Sequence, residues 1–178
     1  MDDAARREAF EALVQVAYEP LQRYLRRRTD PVTADDVLGD ALLVLWRRFD
    51  DVPSEAPLAW CFGIARGCLA NRLRGDRRQQ DLARHLADVH VAESDPVDDL
   101  DLDEALAALP EKHREVLRLW AWEQLPPREI AVVLGISANA ASIRLHRATG
   151  QLRQILKGRK TSRQAGHSKD RQGTENQR

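Results

Sequence analysis

The chain has 178 residues, 43% hydrophobic and 31% charged, which is enough for one domain or two small ones in a water-soluble fold. No segment approaches the roughly 18 consecutive apolar residues of a membrane span, and the acidic start MDDAARRE lacks signal-peptide features, so we expect a cytoplasmic protein. The formal net charge is zero, but residues 81–109 carry nine acidic residues against one basic, whereas 157–178 carry seven basic against two acidic.

The first 79 residues show helical periodicity and no alternation typical of a β-strand. Pro20 is expected to end a first helix and open a second. Thr33 is placed to cap a third helix, and Pro57 to begin a fourth that extends to about Arg78. The apolar positions of the third and fourth helices are Ala34, Val37, Leu38, Ala41, Leu45 and Phe49, and Leu58, Cys61, Phe62, Ala65, Leu69 and Leu73. The pattern predicts a four-helix N-terminal domain over residues 1–79.

The third predicted helix has a second face, made of Asp36, Gly39, Asp40 and Leu43. A glycine inside a helix costs about 1 kcal/mol relative to alanine, so close approach by another molecule would explain Gly39. An exposed Leu43 among acidic residues is typical of a protein interface. The alternative is an ordinary solvent-facing surface with one tolerated glycine.

The fourth predicted helix also has a second face, on which an aromatic residue, two glycines and two terminal arginines recur every three or four positions. Arginines can follow a phosphate backbone, an aromatic ring can stack on an unpaired base, and glycines allow a strand to approach the helix closely. The residues are Trp60, Gly63, Gly67, Asn71, Arg74 and Arg78. The face is suited to a single nucleic-acid strand, or it is a solvated basic face with Trp60 partly in the core.

The helical pattern weakens over residues 80–99, where the acidic stretch contains an Asp-Pro pair that disfavours helix. We expect this segment to be a flexible linker. Periodicity resumes in residues 100–156, which form a second, smaller helical domain. The basic tail 157–178 has almost no large apolar residues and is expected to be disordered.

Within the second domain, residues 127–152 have the pattern of a helix-turn-helix. Gly135 can take the left-handed conformation that ends the first helix, and Ser137 can cap the second. One apolar face of the second helix consists of Ala141, Leu145, Ala148 and Leu152, and the opposite face of Ser142, Ile143, His146, Arg147 and Gly150. The second face fits the major groove of DNA, where Arg and His donate to base edges or phosphates and Ile meets a thymine methyl.

Three of these segments together resemble the extracytoplasmic-function sigma factors, the minimal two-domain members of the bacterial RNA polymerase sigma-70 family. The segments are ADDVLGDALLVLWRRF, PLAWCFGIARGCLANRLRGDRR, and LDEALAALPEKHREVLRLWAWEQLPPREIAVVLGISANAASIRLHRA. The resemblance extends over about residues 10–79 and 100–153. It implies an all-α protein of two helical domains without cofactor, metal or catalytic residues.

The resemblance also implies a role for each candidate residue. Asp36, Gly39, Asp40 and Leu43 would bind the clamp of the polymerase largest subunits. Asp50, Asp51, Val52, Pro53, Ser54, Glu55 and Ala56 would form the loop that captures a flipped base of the −10 element, and Trp60, Asn71, Arg74 and Arg78 would hold the separated nontemplate strand. Ser142, Ile143, His146 and Arg147 would recognise the −35 element, with Arg128, Ser137 and Arg144 available for phosphates.

The partners implied are core RNA polymerase, through its clamp and flap, and promoter DNA. An anti-sigma factor is a further candidate, because members of the family are commonly held inactive by one. The acidic linker would thread the RNA path of the polymerase. Gly39-Asp40 departs from a frequent Gln-Glu, Ala140-Ala141 from Thr-Val, and Ser142 from a basic residue, so no −35 sequence preference follows.

Two other classes of protein fit the sequence less well. A helix-turn-helix regulator that does not associate with polymerase would share the second domain, but it would not need the strand-binding face of the fourth helix. An enzyme is disfavoured, because the five histidines lack HExxH spacing and there is no GxxxxGK[ST] loop or arguable Ser-His-Asp set. The two cysteines are seven residues apart, which suggests neither a zinc site nor a disulfide framework.

Overall fold

The computed structural model describes residues 3–84 and 100–172, and within these ranges every regular element is a helix. The α-helices are α1 (Asp3–Arg26), α2 (Pro31–Arg47), α3 (Pro57–Arg84), α4 (Leu100–Ala107), α5 (Glu111–Ala121), α6 (Pro127–Leu134) and α7 (Ala138–Gln172), and a 3-10 turn spans Phe49–Asp51. The all-α class and the division into two helical domains are confirmed.

Helix α1 is continuous through Pro20, so the predicted break at this residue is wrong. Proline removes the backbone bond to Val16, but Val16 is 64% exposed and water can satisfy its carbonyl. Residues on both sides of the proline bury one common stripe against α2 and α3, and this packing holds the two halves in line. The stripe contains Ala17, Leu21, Tyr24 and Leu25. The N-terminal domain therefore has three α-helices and a 3-10 turn instead of four helices.

Helix α2 begins at Pro31, two residues before the predicted cap. The side chain of Asp30 accepts a hydrogen bond of 3.0 Å from the backbone N–H of Thr33, so Asp30 is the N-cap and Thr33 is its partner. The hydrogen bonds from Thr33 lower the pKa of Asp30. At the other end of α2, the rings of Phe10 and Trp46 meet edge to face at 5.0 Å, which fixes α1 beside the turn that follows.

Helix α3 extends to Arg84, past the predicted end near Arg78. The first residues of the expected linker, 80–84, therefore belong to this helix. The remainder of that linker, residues 85–99, lies outside the described residues.

The C-terminal domain contains the predicted helix-turn-helix. Gly135 adopts φ 63°, ψ 40°, and its N–H donates to the last carbonyls of α6, so the residue ends the helix as expected. The Ser137 hydroxyl accepts a 3.1 Å hydrogen bond from the N–H of Ala140 and caps α7. Ala141 and Ala148 are fully buried between α7 and its neighbours.

Helix α7 continues through residues 157–172, which were expected to be disordered. The residue types there explain the difference, because Lys, Arg, Gln and Ala have high helix propensity and extending a helix is easier than starting one. Residues 173–178 lie outside the described residues.

The two domains are in contact, although the sequence predicted lobes separated by a linker. Helix α6 packs on α3, and the buried apolar side chains of both domains form one continuous cluster. In this docked form the C-terminal domain lies directly on the N-terminal domain.

No described helix is long and apolar enough to cross a membrane. Within residues 3–84 and 100–172 there is also no group of three or more His, Cys, Asp or Glu side chains placed to hold a metal ion.

The turn of the helix-turn-helix gives a first prediction. Because Gly135 has positive φ, Gly135→Ala should lower the free energy of unfolding by about 1 kcal/mol. Urea denaturation measures the change. Gly75→Ala is the matched control, because Gly75 lies in α3 with open space around it and should gain about 0.5–1 kcal/mol. A loss of equal size at both positions would contradict the account of the turn.

Candidate nucleic-acid interface

The predicted DNA-contacting face of α7 lies on the surface. Ser142, Ile143, His146 and Arg147 are all exposed, and Ile143 is an unusually exposed large apolar residue. The Ser142 hydroxyl donates to the carbonyl of Ala138 at 3.0 Å, so its lone pairs face outward as acceptors. These four side chains can enter a major groove without rearrangement of the domain.

The three predicted phosphate contacts differ in their exposure. Arg128 is exposed at the start of α6, with only a 3.9 Å ion pair to Glu129. Ser137 is exposed and uses its hydroxyl as the cap of α7. Arg144 instead lines a cleft of about 490 Å³ between the domains, together with Arg66 and Arg118. The docked form therefore leaves Arg128 and Ser137 exposed and Arg144 half-buried.

Sequence reasoning missed one candidate on this face. Asn139 is exposed as the second residue of α7. The first residues of a recognition helix contact base edges, and asparagine can pair with adenine through two hydrogen bonds. Its place two residues after the capping serine was the signal that could have identified it.

The segment Asp50–Ala56 connects α2 to α3 on the surface, and an arginine side chain contacts each of its two aspartates. Arg6 lies 3.4 Å from Asp50, and Arg48 lies 3.0 Å from Asp51. Ala56 has φ 56°, a left-handed conformation that alanine rarely adopts. The other members, Val52, Pro53, Ser54 and Glu55, are half-buried or exposed. The loop is anchored at its start and bent sharply where α3 begins.

The predicted strand-binding face follows α3 from its first turn. Trp60 is half-buried, and the guanidinium of Arg48, which sequence reasoning did not assign, lies 5.7 Å from the ring centroid. Asn71, Arg74 and Arg78 are exposed. The Arg74 side chain donates a hydrogen bond to the Asn71 side chain, and the Arg78 side chain donates one to the backbone carbonyl of Arg74. The structure therefore brings these four residues onto one continuous surface.

Helix α6 lies beside the first half of this face and contacts it at Gly63, whereas Gly67 is exposed. A groove of about 460 Å³ is lined on one side by Trp60, Gly63, Gly67 and Asn71, and on the other by residues 132–135. A Cβ atom added at Gly63 would lie 3.6 Å from the Cα and carbonyl oxygen of Val133. The glycine allows the backbone of α6 to approach α3 closely. The sequence predicted that a nucleic-acid strand would make this close approach.

A cluster of charged residues connects the domains beside this contact. We call it the interdomain ion-pair cluster; its members are Tyr24, Arg27, Arg28, Glu115 and Glu123. Arg28 contacts Glu115 and Glu123, each at 3.4 Å, and Arg27 contacts Glu123 at 3.3 Å. The Tyr24 hydroxyl donates to Glu115 at 3.3 Å, and the Arg28 guanidinium lies 3.6 Å from the Tyr24 ring centroid.

The centre of the cluster is almost completely shielded from solvent. The side chains of Arg28 and Glu123 are 6% and 4% exposed. Burial raises the pKa of Glu123, and the adjacent Arg28 and Arg27 oppose this shift. Burial also raises the pKa of Tyr24, with the nearby Glu115 charge adding to the effect. Sequence reasoning missed this cluster because its partners are about ninety residues apart and have no shared periodicity.

The predicted polymerase-binding face is exposed on α2. Leu43 is 57% exposed, and Asp36 and Asp40 lie on the same surface. Asp36 is 3.5 Å from Arg72 of α3. A Cβ at Gly39 would meet nothing within 4 Å among the residues that the structure describes, so none of their contacts requires a glycine there.

The contact at Gly63 gives a second prediction. Gly63→Ala should be tolerated, because the added methyl makes ordinary van der Waals contact with Val133. Gly63→Leu should destabilise the docked form by about 1–3 kcal/mol, because the longer side chain has no space under α6. Small-angle scattering and thermal unfolding would detect the loss. Equal radii of gyration for the two variants and the wild type would contradict it.

Two protein-family models match the chain, one in each domain. Residues 10–79 match the model of Sigma-70 region 2, and residues 99–152 match the model of Sigma-70, region 4. Together the two matches include α2, most of α1 and α3, and the predicted helix-turn-helix of residues 127–152.

Full-length relatives resemble the chain over both domains. It is 31% identical over 169 residues to the RNA polymerase sigma-E factor of Streptomyces avermitilis, which covers 92% of this chain and 93% of the relative. It is 30% identical to the ECF RNA polymerase sigma factor SigL of Mycobacterium tuberculosis, over 82% of this chain and 89% of SigL. The solved structure of CnrH in complex with the cytosolic domain of CnrY has a TM-score of 0.58 and 27% identity, over 85% of this chain and 90% of that chain.

Proposed function

We propose that the two domains of this chain divide promoter recognition between them, starting from what the similarities establish: the chain belongs to the sigma-70 family and is an extracytoplasmic-function RNA polymerase sigma factor. A protein of this kind binds core RNA polymerase, directs promoter-specific initiation and assists promoter melting. The proposal concerns which residues perform each step.

The C-terminal domain binds the −35 element as duplex. Support comes from the exposed Ser142, Ile143, His146 and Arg147 on the outer face of a helix that is capped and packed through its opposite face. Arg147 can donate two hydrogen bonds to guanine, and Ile143 can contact a thymine methyl. Arg128 and Ser137 lie at the helix starts, where phosphates are bound by backbone N–H groups and cations. Arg144, half-buried beside the interdomain cleft, is the third proposed phosphate contact.

The N-terminal domain captures the −10 element as a single strand. The loop Asp50–Ala56 is anchored by Arg6 and Arg48, so it is positioned to receive a base without first being ordered. Base flipping costs a few kcal/mol, which stacking and hydrogen bonds in a pocket offset. Trp60 provides the stacking surface next to this loop, and Asn71, Arg74 and Arg78 provide polar and cationic contacts along α3.

The exposed face of α2 binds the polymerase clamp. Leu43 supplies an apolar anchor, Asp36 and Asp40 supply charges that orient the partner, and Gly39 leaves the helix backbone accessible. A contact between the C-terminal domain and the polymerase flap belongs to the same proposal.

The observation that carries the proposal is the presence of both matched regions in one chain, because a regulator that only binds duplex DNA does not need the first. The sigma-factor relatives also support a chain without catalysis of its own. A protein partner that holds the factor inactive is proposed by analogy with CnrH, whose structure contains the cytosolic domain of CnrY. Association with core polymerase places the protein in the cytoplasm.

Transcription with purified core polymerase on genomic DNA, followed by mapping of transcript starts, tests the proposal. We expect defined starts that require the added protein. Duplex DNA binding by the protein without any protein-dependent starts would favour the regulator instead.

The −35 assignment predicts the effect of Arg147→Ala. Loss of the guanidinium should weaken binding of the assembled holoenzyme to its −35 duplex by about 1–3 kcal/mol, measured by competition in gel shift. Arg153→Ala is the matched control, since Arg153 is an exposed arginine further along α7. If both variants bind like the wild type, Arg147 is not a base contact.

The clamp assignment predicts the effect of Leu43→Asp. Replacing an interface anchor with a charge should weaken the affinity for core polymerase by at least about 1 kcal/mol, measured by fluorescence anisotropy with labelled protein. Val16→Asp places the same charge at another exposed apolar position, on α1, and should leave the affinity unchanged. An equal effect of both substitutions would remove Leu43 from the interface.

A further inference from the structure

We infer that the cleft between the two domains is a binding site for a small organic phosphate of the class of nucleoside di- and triphosphates. Basic side chains of this interdomain cleft would bind the phosphate groups, and an apolar wall beside them would bind the organic part. The basic side chains are Arg28, Arg66, Lys112, Arg118 and Arg144. The inference goes beyond promoter recognition, because it assigns a small-molecule ligand to the chain.

The cleft has the size of a ligand site. Its volume is about 490 Å³, within the roughly 300–1,000 Å³ of pockets that enclose small organic molecules. Residues of α1, α3, α5, α6 and α7 all line it, so a single ligand would contact both domains. A DNA duplex is too wide to enter a cleft of this volume, which favours a small molecule as the source of phosphate.

The acidic residues of the cleft already have partners. Its lining contains five basic side chains but only two carboxylates, Glu111 and Glu115. Glu111 is paired with Arg114 of its own helix at 3.3 Å, and Glu115 with Arg28 at 3.4 Å. The positive charge of the cleft is therefore in excess, and it attracts anions.

Most of the basic side chains have no counter-ion in the described part of the chain. Only Arg28 is ion-paired there. The side chains that form no ion pair with a described residue are Arg66, Lys112, Arg118 and Arg144. Guanidinium groups bind phosphate oxygens through paired, charge-assisted hydrogen bonds, so three unpaired arginines around one cleft suit a ligand with several phosphate groups.

Burial of two of these cations is incompletely compensated. The side chain of Arg28 is 6% exposed, and its buried Nε atom has no hydrogen-bond partner among the described residues. Burial lowers the pKa of Arg118, and the neighbouring charge of Arg28 lowers it further, while Glu115 opposes the shift. A bound anion would stabilise the charged form of both arginines.

Helix α5 begins at the cleft and adds backbone donors. Its first two residues, Glu111 and Lys112, line the cleft, and the N-cap Pro110 provides no side-chain hydrogen bond to the free N–H groups of the first turn. Such a helix start binds phosphate. Together with the arginines of α3 and α7, it spreads the donors over both domains, which fits a chain of two or three phosphates better than one.

The rest of the lining is apolar. It consists of side chains from α3 and α6 and the ring of Tyr24; the aliphatic residues are Leu69, Ala70, Leu73 and Leu134. Leu73 is 36% exposed, which is unusual for a large apolar side chain. An apolar wall beside a few charged groups is typical of sites for organic ligands, and it would contact the base and sugar of a nucleotide.

Titration calorimetry of the isolated full chain with ATP, GTP and pyrophosphate tests the inference. We expect one nucleoside triphosphate to bind per chain, at least about tenfold more tightly than pyrophosphate, because pyrophosphate buries none of the apolar wall. The nucleotide should also raise the thermal midpoint, since it binds only the folded chain. Absence of saturable binding, or an equal affinity for pyrophosphate, would overturn the inference.

Substitutions on either side of the cleft locate the bound nucleotide. Arg66→Gln in α3 and Lys112→Gln in α5 each remove one exposed cation and should each weaken ATP binding about tenfold. Arg77→Gln is the matched control, because Arg77 is an exposed arginine of α3 that does not line the cleft. It should bind ATP like the wild type. An equal loss in the control, or no loss in the other two variants, would place the nucleotide elsewhere and overturn the inference.

Two further measurements separate the cleft from a folding defect and from DNA. Without ligand, all three variants should keep the thermal midpoint of the wild type, because none of the replaced side chains is ion-paired with a described residue. Arg66→Gln and Lys112→Gln should also keep the wild-type affinity for a short DNA duplex of randomised sequence. A loss of duplex affinity equal to the loss of ATP affinity would mean that these cations bind the DNA backbone, and it would contradict the inference.

Discussion

The close contact between α3 and α6 is the constraint on which the arrangement of this chain depends. Helix α3 packs on α1 and α2 through one face, and on α6 through another that contains Gly63. Only a small residue, glycine or alanine, fits where the two helix backbones approach this closely. The same property suits a helix face for a nucleic-acid strand, so one sequence feature serves two mutually exclusive contacts.

The ion pairs beside this contact determine how the two domains are oriented more than they stabilise the contact between them. Placing Arg28 and Glu123 in a nearly dry interface costs desolvation that their attraction only partly offsets, which agrees with the raised pKa of Glu123. Such a pair disfavours other docking geometries, because any shift leaves a buried charge without its partner. Apolar packing of α6 on α3 then supplies the attraction, and the charges select the docking position.

Local features could be predicted from the sequence, and contacts between distant segments could not. Gly135, Ser137 and the buried stripe of α7 follow from propensity and periodicity, so the helix-turn-helix was predicted with its turn in place. Pro20 was misjudged because packing on two other helices outweighs a single lost hydrogen bond. No periodicity in the sequence indicates that Arg28 pairs with Glu115 and Glu123. This pairing helps to fix how the domains dock, and the docking determines which candidate residues are exposed. Trp60 and Arg144 are both half-buried in the docked form, and their roles in DNA binding stay predictions.

The distance between the two domains is the most direct test of the account. Spin labels at Val16→Cys on α1 and Arg153→Cys on α7, in a Cys68→Ser background, allow it to be measured by pulsed electron resonance. The account predicts one short distance for the free protein, and a longer one when core polymerase and promoter DNA are added. The same distance in both states would contradict the claim that α6 moves away from the strand-binding face of α3 when the protein binds its promoter.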